Sequence, residues 1–333
     1  MSLRIIKTGI STTLQDAGRP GYQAAGVPVS GAMDKVSMRL ANLLCGNDPG
    51  EVVLETTLHG GEWLVEEEQL MAFCGAGCTL LINNIPAPFY RVIRVKASSL
   101  LSLKPSASGC RSYLAVAGGF TAKTDLKSRS TYTPAALGGY HGRALKAGDL
   151  VEWGQEKSKL SLEIMLSLAY GGNDFAVAKW GIDFNRKGVE IDKTIRVFSG
   201  PEWDWFDEHT KTKLYRNSFG VTNQSNRMGY RLSGPSFILA KKKELISTAV
   251  CMGTIQVTHE GSLVMLMADA QTTGGYPRLV MTAAVDLPAC AQLRPGDRIH
   301  FREISMNTAE ELYLEKETLL RQIQASIALK FHA

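Results

Sequence analysis

Apolar residues along this chain fall into short runs that either alternate with polar residues or are apolar throughout, and Gly, Pro, Asn and Asp separate the runs. Segments 70–73, 79–82, 90–95, 112–116, 263–267 and 279–285 have this form and are expected to be strands, many buried on both faces. Helical spacing is rarer. Val36, Leu40, Leu43 and Leu44 make one apolar stripe behind a cap at Asp34, with Gly46 as the stop. A second short helix is expected from Pro201 through Trp205 and Phe206. Near the C-terminal end Thr308 and Glu311 have capping-box spacing, and Leu312, Leu319, Ile323 and Ile327 then line one face.

The strand pattern repeats. Leu145-Lys-Ala-Gly148-Asp149-Leu-Val151-Glu-Trp153 returns as Leu293-Arg-Pro-Gly296-Asp297-Arg-Ile299-His-Phe301, a Gly-Asp turn feeding an alternating strand each time. Thr13-Leu-Gln15 ahead of Arg19-Pro-Gly21-Tyr22 is paralleled by Thr222-Asn-Gln224 ahead of Arg227-Met-Gly229-Tyr230. Two related β domains fit these pairs better than one large sheet, with a boundary in the polar stretch 154–159.

Composition narrows this picture. A chain of 333 residues can build two domains, each with its own core. Its 32 glycines exceed the usual share of roughly 7%, which favours tight turns and sheet corners over long helices. Thirty-seven Lys and Arg against 32 Asp and Glu leave a net charge of +5, and the one basic run, Lys241-Lys242-Lys243, reads as a solvated turn. Nucleic acid is therefore not an expected partner. No stretch approaches the roughly 18 apolar residues of a membrane span, and no apolar signal region follows Arg4 and Lys7, so a soluble, unexported protein is expected. The six cysteines (Cys45, Cys74, Cys78, Cys110, Cys251 and Cys290) lie mostly inside apolar runs, as buried thiols of a reducing cytoplasm would.

Several familiar chemistries are missing. There is no Walker-type phosphate loop, no H-E-x-x-H and no G-x-S-x-G; Gly75-Ala-Gly77 lacks the third glycine and following helix of a dinucleotide site. Cys74 and Cys78 have no second Cys or His pair at zinc spacing, and the six histidines are scattered, so no metal site is expected.

What remains is a set of polar clusters in Gly-rich turns. Gln15, Asp16 and Arg19 lie within one turn, where Arg could hold a carboxylate or phosphate while Asp orients it; a structural Asp-Arg clamp is the alternative. Ser30 precedes the first helix in Pro28-Val-Ser30-Gly31-Ala-Met33-Asp34, where free backbone N–H groups could bind an anion unless Asp34 caps them. Asp269, Gln271, Thr272, Thr273, Tyr276 and Arg278 crowd one strand exit, and burying so many polar groups is costly unless they meet a ligand or each other. Arg227 and Arg231 add cations, and Lys127-Ser-Arg129-Ser130-Thr131 adds a polar loop.

At these residues the sequence resembles the biotin-dependent carboxyltransferase or allophanate hydrolase subunit 2 family. The resemblance lies in segments 12–21 (TTLQDAGRPG), 26–34 (GVPVSGAMD), 41–47 (ANLLCGN), 54–60 (LETTLHG), 113–120 (YLAVAGGF), 128–131 (SRST), 227–235 (RMGYRLSGP) and 269–278 (DAQTTGGYPR), in order along nearly the whole chain. Asn226 departs from the pattern, which has Asp before Arg-Met-Gly.

The resemblance implies a mainly β chain of two tandem cyclophilin-like β-barrels, 1–156 and 157–304, with a few short helices and a C-terminal helix over 305–333. It also implies a partner, a subunit 1 or B-type (KipI-like) chain, with the site at or near the shared surface. For members that serve as the C subunit of an ATP-dependent 5-oxoprolinase, the reaction is the opening of 5-oxo-L-proline to L-glutamate, with an A subunit also required. Lacking a phosphate loop, the chain would leave ATP at least partly to a partner. Arg19, Arg227 and Arg278 are then candidates for neutralising charge, Asp16 and Asp269 for orientation or proton transfer, and Gln15, Ser30, Gln271, Thr272, Thr273 and Tyr276 for substrate binding. Two other functions fit the same family: a carboxyltransferase of the urea amidolyase type using carboxybiotin on another chain, and a non-catalytic antagonist of a KipI-like kinase inhibitor.

Overall fold

The computed structural model describes residues 1–155, 157–183, 193–239 and 245–332. The basic run Lys241-Lys242-Lys243 lies outside the described residues. The chain divides into two compact units: Met1–Arg19, Asp34–Asn185 and Leu319–Ala333 form the first, and Pro20–Met33 and Arg186–Thr318 the second.

In the first unit the strands are β1 (Ser2–Thr8), β2 (Ser11–Gln15), β3 (Val53–Thr57), β4 (Gly61–Val65), β5 (Gln69–Gly75), β6 (Cys78–Ile82), β7 (Ile85–Ala87), β8 (Val92–Val95), β9 (Ser99–Pro105), β10 (Arg111–Val116), β11 (Leu150–Glu152) and β12 (Phe175–Val177). Among the described residues they make two six-stranded sheets, in the orders β11-β1-β4-β9-β6-β7 and β12-β8-β5-β10-β3-β2. Leu14, Leu54, Phe73 and Leu114 share a core with Leu3, Trp63 and Leu103. All of β10 is buried, because the opposite face of its sheet lies under helix α1 (Lys35–Leu44). That two-sided burial leaves even Arg111, Ser112 and Tyr113 of this strand buried beside Leu114, Ala115 and Val116. Asp34 caps α1 as expected, its Oδ1 accepting from Ser37 N–H at 2.9 Å.

The expected boundary at 156/157 falls too early. Helix α2 (Lys159–Leu166) is capped by Ser158, and the Ser158 and Ser161 hydroxyls donate to the carbonyls of Gly46 and Cys45 at 2.7 Å. Beyond α2, β12 pairs with β8. These contacts keep the segment in the first unit.

The second unit contains β13 (Thr194–Ser199), β14 (Ser218–Val221), β15 (Gly229–Ser233), β16 (Thr248–Ala249), β17 (Thr254–Val257), β18 (Leu263–Leu266), β19 (Thr273–Gly274), β20 (Arg278–Thr282) and β21 (Arg298–Glu303). Among the described residues a closed barrel runs β13-β20-β17-β18-β15-β14-β21, sealed by the parallel pair β13–β21, and β16 pairs with β19 alongside. Its core includes Phe219, Tyr230, Phe237, Ile255, Met265 and Phe301. The expected helix at Pro201 is a single 3-10 turn, Trp203–Trp205; the regular helix is α3 (Glu208–Arg216), started by Asp207. A short α4 (Leu287–Ala291) follows β20, and α5 (Met306–His332) closes the described chain. Ser305, not Thr308, caps α5: its Oγ accepts from Thr308 N–H at 3.0 Å. The buried stripe of α5 is Ala309, Leu320 and Ile327, while Leu319 is exposed. Among the described residues no helix is long and apolar enough to cross a membrane.

The Gly-Asp repeat is reproduced bond for bond. Gly148 N–H donates to Ile5 O and Gly296 N–H to Val221 O; Asp149 O and Asp297 O accept in turn from Ile5 and Val221. Both glycines sit near φ +90, where a Cβ would be strained. Asp149 pairs with Arg143 at 2.7 Å and Asp297 with Lys193 at 2.5 Å. The other expected pair is not equivalent: Thr13 and Gln15 belong to a strand, whereas Thr222 and Gln224 lie in the turn between β14 and β15.

Candidate functional site

Where β2 ends, the chain turns through Asp16 and Arg19, and both side chains are buried. Asp16 Oδ1 accepts from Gly18 N–H (2.8 Å) and from the hydroxyls of Ser128 and Ser130 (2.7 Å each), and Oδ2 accepts from Arg129 N–H at 2.6 Å. Arg19 donates to Ser130 O. Two distant motifs, 12–21 and 128–131, are therefore one clasp. Asp16 and Arg19 both hold the same segment, which the chain reaches more than a hundred residues later.

Gln15 belongs to a different face. Residues opposite one another on antiparallel strands share a face, and the register sets Thr13 opposite Glu55 and Glu55 opposite Tyr113. Gln15 is one pleat further along β2. This is the face under α1, and it is polar although buried: Thr13, Gln15, Glu55, Arg111 and Tyr113 are each at most 4% exposed. Tyr113 Oη donates to Glu55 at 2.9 Å and accepts from Asp34 N–H at 2.7 Å, which ties the first turn of α1 to the sheet. Arg111 faces Glu55 at 3.9 Å. Burial, then the charges of Glu55 and Asp34, push the Tyr113 phenol well above its ordinary range, so it stays protonated. Glu55, Arg111 and Tyr113 are not among the candidate site residues, although Glu55 and Tyr113 lie in segments 54–60 and 113–120 that carry the resemblance; the strand register brings the three together. Lys35, at the start of α1, has its amine pKa lowered by burial, against the opposing pull of Asp16.

In the second unit Asp269 is the hub. Its Oδ1 accepts from Ser30 Oγ at 2.6 Å, and Arg227 straddles the carboxylate with Nε to Oδ2 at 2.7 Å and an Nη to Oδ1 at 3.0 Å. The same Nη donates to Gly31 O, and Asp269 N–H donates to Arg227 O. Ser30 sits at φ 55 with its N–H on Ala268 O. Three of the expected residues thus form one bonded cluster. Asn226 makes an Asx turn, its Oδ1 accepting from Met228 N–H at 2.8 Å; an amide and a carboxylate perform that task equally well.

The remaining residues diverge. Gln271 and Thr273 are exposed and Thr272 is buried. Tyr276 packs edge-on to His259, ring centroids 5.1 Å apart, in the wall of a cavity of about 1020 Å³. Arg278 lines another, of about 700 Å³, but its Nε and one Nη grip Glu202 at 2.8 and 2.7 Å and the other Nη donates to Ala249 O. Burial tends to raise the Glu202 pKa, yet these bonds from Arg278 outweigh it and leave the carboxyl below its ordinary range.

Comparison with known proteins bears on what these groups do. Residues 25–303 match the family model described as carboxyltransferase domain, subdomain A and B. The chain is similar to the 5-oxoprolinase C subunit of Escherichia coli, 37% identical over 96% of this chain and 97% of that protein. The 5-oxoprolinase C subunit of Haemophilus influenzae is 33% identical over 94% of each. The crystal structure of the K. lactis urea amidolyase superposes with a TM-score of 0.84 at 29% identity, over 97% of this chain but only 20% of that one.

Proposed function

Because the chain belongs to the carboxyltransferase-domain family with subdomains A and B, we propose that it is the C subunit of an ATP-dependent 5-oxoprolinase, opening 5-oxo-L-proline to L-glutamate together with A and B subunits. The observation that carries this reading is the match to the C subunit of a 5-oxoprolinase over nearly the full length of both chains; the amidolyase is about five times longer.

The lactam is an unactivated amide, and ATP supplies its activation. Arg19, Arg227 and Arg278 do not fit a nucleotide phosphate, since they donate to Ser130 O, Asp269 and Glu202 of this chain. Nucleotide binding therefore falls to a partner. On this chain the groups nearest the chemistry are Ser30, Arg227 and Asp269, with Gln271, Thr272, Thr273 and Tyr276 as substrate contacts. Asp16, Arg19 and Arg278 hold the polypeptide that carries them. We place the working complex in the cytoplasm.

The fold similarity to the amidolyase favours one second reading, carboxyl transfer from carboxybiotin carried on another chain. The two are separated by mixing this chain with A- and B-type partners, leaving out each in turn, and following glutamate released from 5-oxo-L-proline. Release that needs all three supports the hydrolase; release from none, with carboxylation by a biotinylated carrier, supports the transferase.

A further inference from the structure

Gln256 is a polar residue in the middle of a buried strand. All four residues of β17 are buried, and its neighbours Ile255 and Val257 belong to the barrel core. Strand alternation turns Gln256 to the outer side of the barrel wall. Even there it is only 1% exposed, because β19 lies over it: a Cβ added to Gly274 would stand 2.7 Å from Gln256 Nε2. A carboxamide in such a place gives up its hydration, a cost that only a hydrogen bond offsets.

The bond runs to the segment that the proposed function sets against the substrate. Gln256 Nε2 donates to Tyr276 O at 3.1 Å, and the next residue, Val257, donates its N–H to Pro277 O at 3.0 Å. Pairing between β17 and β20 shifts at this point. Ile255 lies opposite Val280 but Gln256 lies opposite Arg278, so Leu279 is an extra residue on β20. The irregularity sits where the chain re-enters the barrel from residues 271–276. One amide therefore meets that segment twice: it bonds the Tyr276 carbonyl, and it occupies the space left by the missing side chain of Gly274.

We propose that Gln256 is a positioning residue for the substrate. It does not touch the substrate itself; it sets the backbone of 274–276 and, through it, the Tyr276 ring in the wall of its cavity. The assignment rests on the proposed function, in which 5-oxo-L-proline meets residues 271–276.

The test uses the complex reconstituted from full-length subunits, with rates expressed per assembled complex after gel filtration. Gln256→Met keeps the side-chain length and removes the donor. Gly274→Ala leaves Gln256 in place but crowds its amide, which as the end of a flexible side chain gives way before backbone does. Each variant is expected to raise KM for 5-oxo-L-proline about tenfold while KM for ATP stays within about twofold of wild type. The double variant should lie within about twofold of the poorer single one, because both changes act on one amide. A residue that serves only the fold would lower the yield of complex and leave both KM values alone. Assembled variants with an unchanged KM for 5-oxo-L-proline overturn the proposal, as do KM values for both substrates that rise together, or single effects that multiply in the double variant. Failure of both variants to assemble overturns it too, since Gln256 then serves folding. In each of these cases a wild-type complex that releases glutamate leaves the proposed function standing. A wild-type complex that never consumes 5-oxo-L-proline overturns the function and this assignment together.

Discussion

Polar side chains here divide by whether their hydrogen-bonding capacity is filled within the chain. Asp16 is filled: two backbone N–H groups and two hydroxyls surround it. The clasp it makes is tight, since a Cβ on Gly138 would stand 2.2 Å from Ser130 O at a φ of +61. Gly138→Ala should therefore destabilise the protein by about 3 kcal/mol or more, read as a lowered urea midpoint. Asn226→Asp should change stability by less than about 0.5 kcal/mol by the same measurement, because the Asx turn needs only an acceptor. Glu202 gives a pH dependence. Its folded pKa lies below the unfolded one, so its stabilisation is present above the unfolded value of about 4.3 and is lost as pH falls through the folded value. Urea titrations between pH 7 and pH 3 should show wild type more stable than Glu202→Gln at neutral pH, with the gap closing in acid. The polar clusters themselves were legible in the sequence, but their roles were not. Whether Asp16 meets a ligand or Ser128 and Ser130 depends on a contact across 112 residues, which local pattern cannot reveal.

At the scale of elements, legibility followed local determinism. Helix α1 was readable because Asp34, its apolar stripe and Gly46 all lie within one short stretch. The Gly-Asp repeat was readable because its turn requires a particular backbone conformation wherever it occurs. Helix α5 was placed correctly and its cap misplaced, since Ser305 and Thr308 both suit the role and only the backbone direction decides between them. Ser305→Ala should cost about 1 kcal/mol and Thr308→Ala markedly less, measured by thermal unfolding. The polar row of Thr13, Glu55 and Tyr113 was hidden for another reason. Each residue sits in an ordinary strand, and only the register of β2, β3 and β10 brings them together.

For the whole molecule, two β units were foreseen from the repeat, but not that Pro20–Met33 belongs with the second. That excursion carries Ser30 to Asp269, so the bonded cluster draws on both ends of the sequence. In the proposed function the lactam is activated on other subunits, so the decisive test is made on a complex. The direct measurement is glutamate formed from 5-oxo-L-proline by this chain with A- and B-type subunits, with and without ATP. The account predicts ATP-dependent release that disappears when this chain is omitted and falls at least about tenfold with Asp269→Ala in a folded complex. Equal release without this chain, or none from a folded three-subunit complex supplied with ATP, would contradict it.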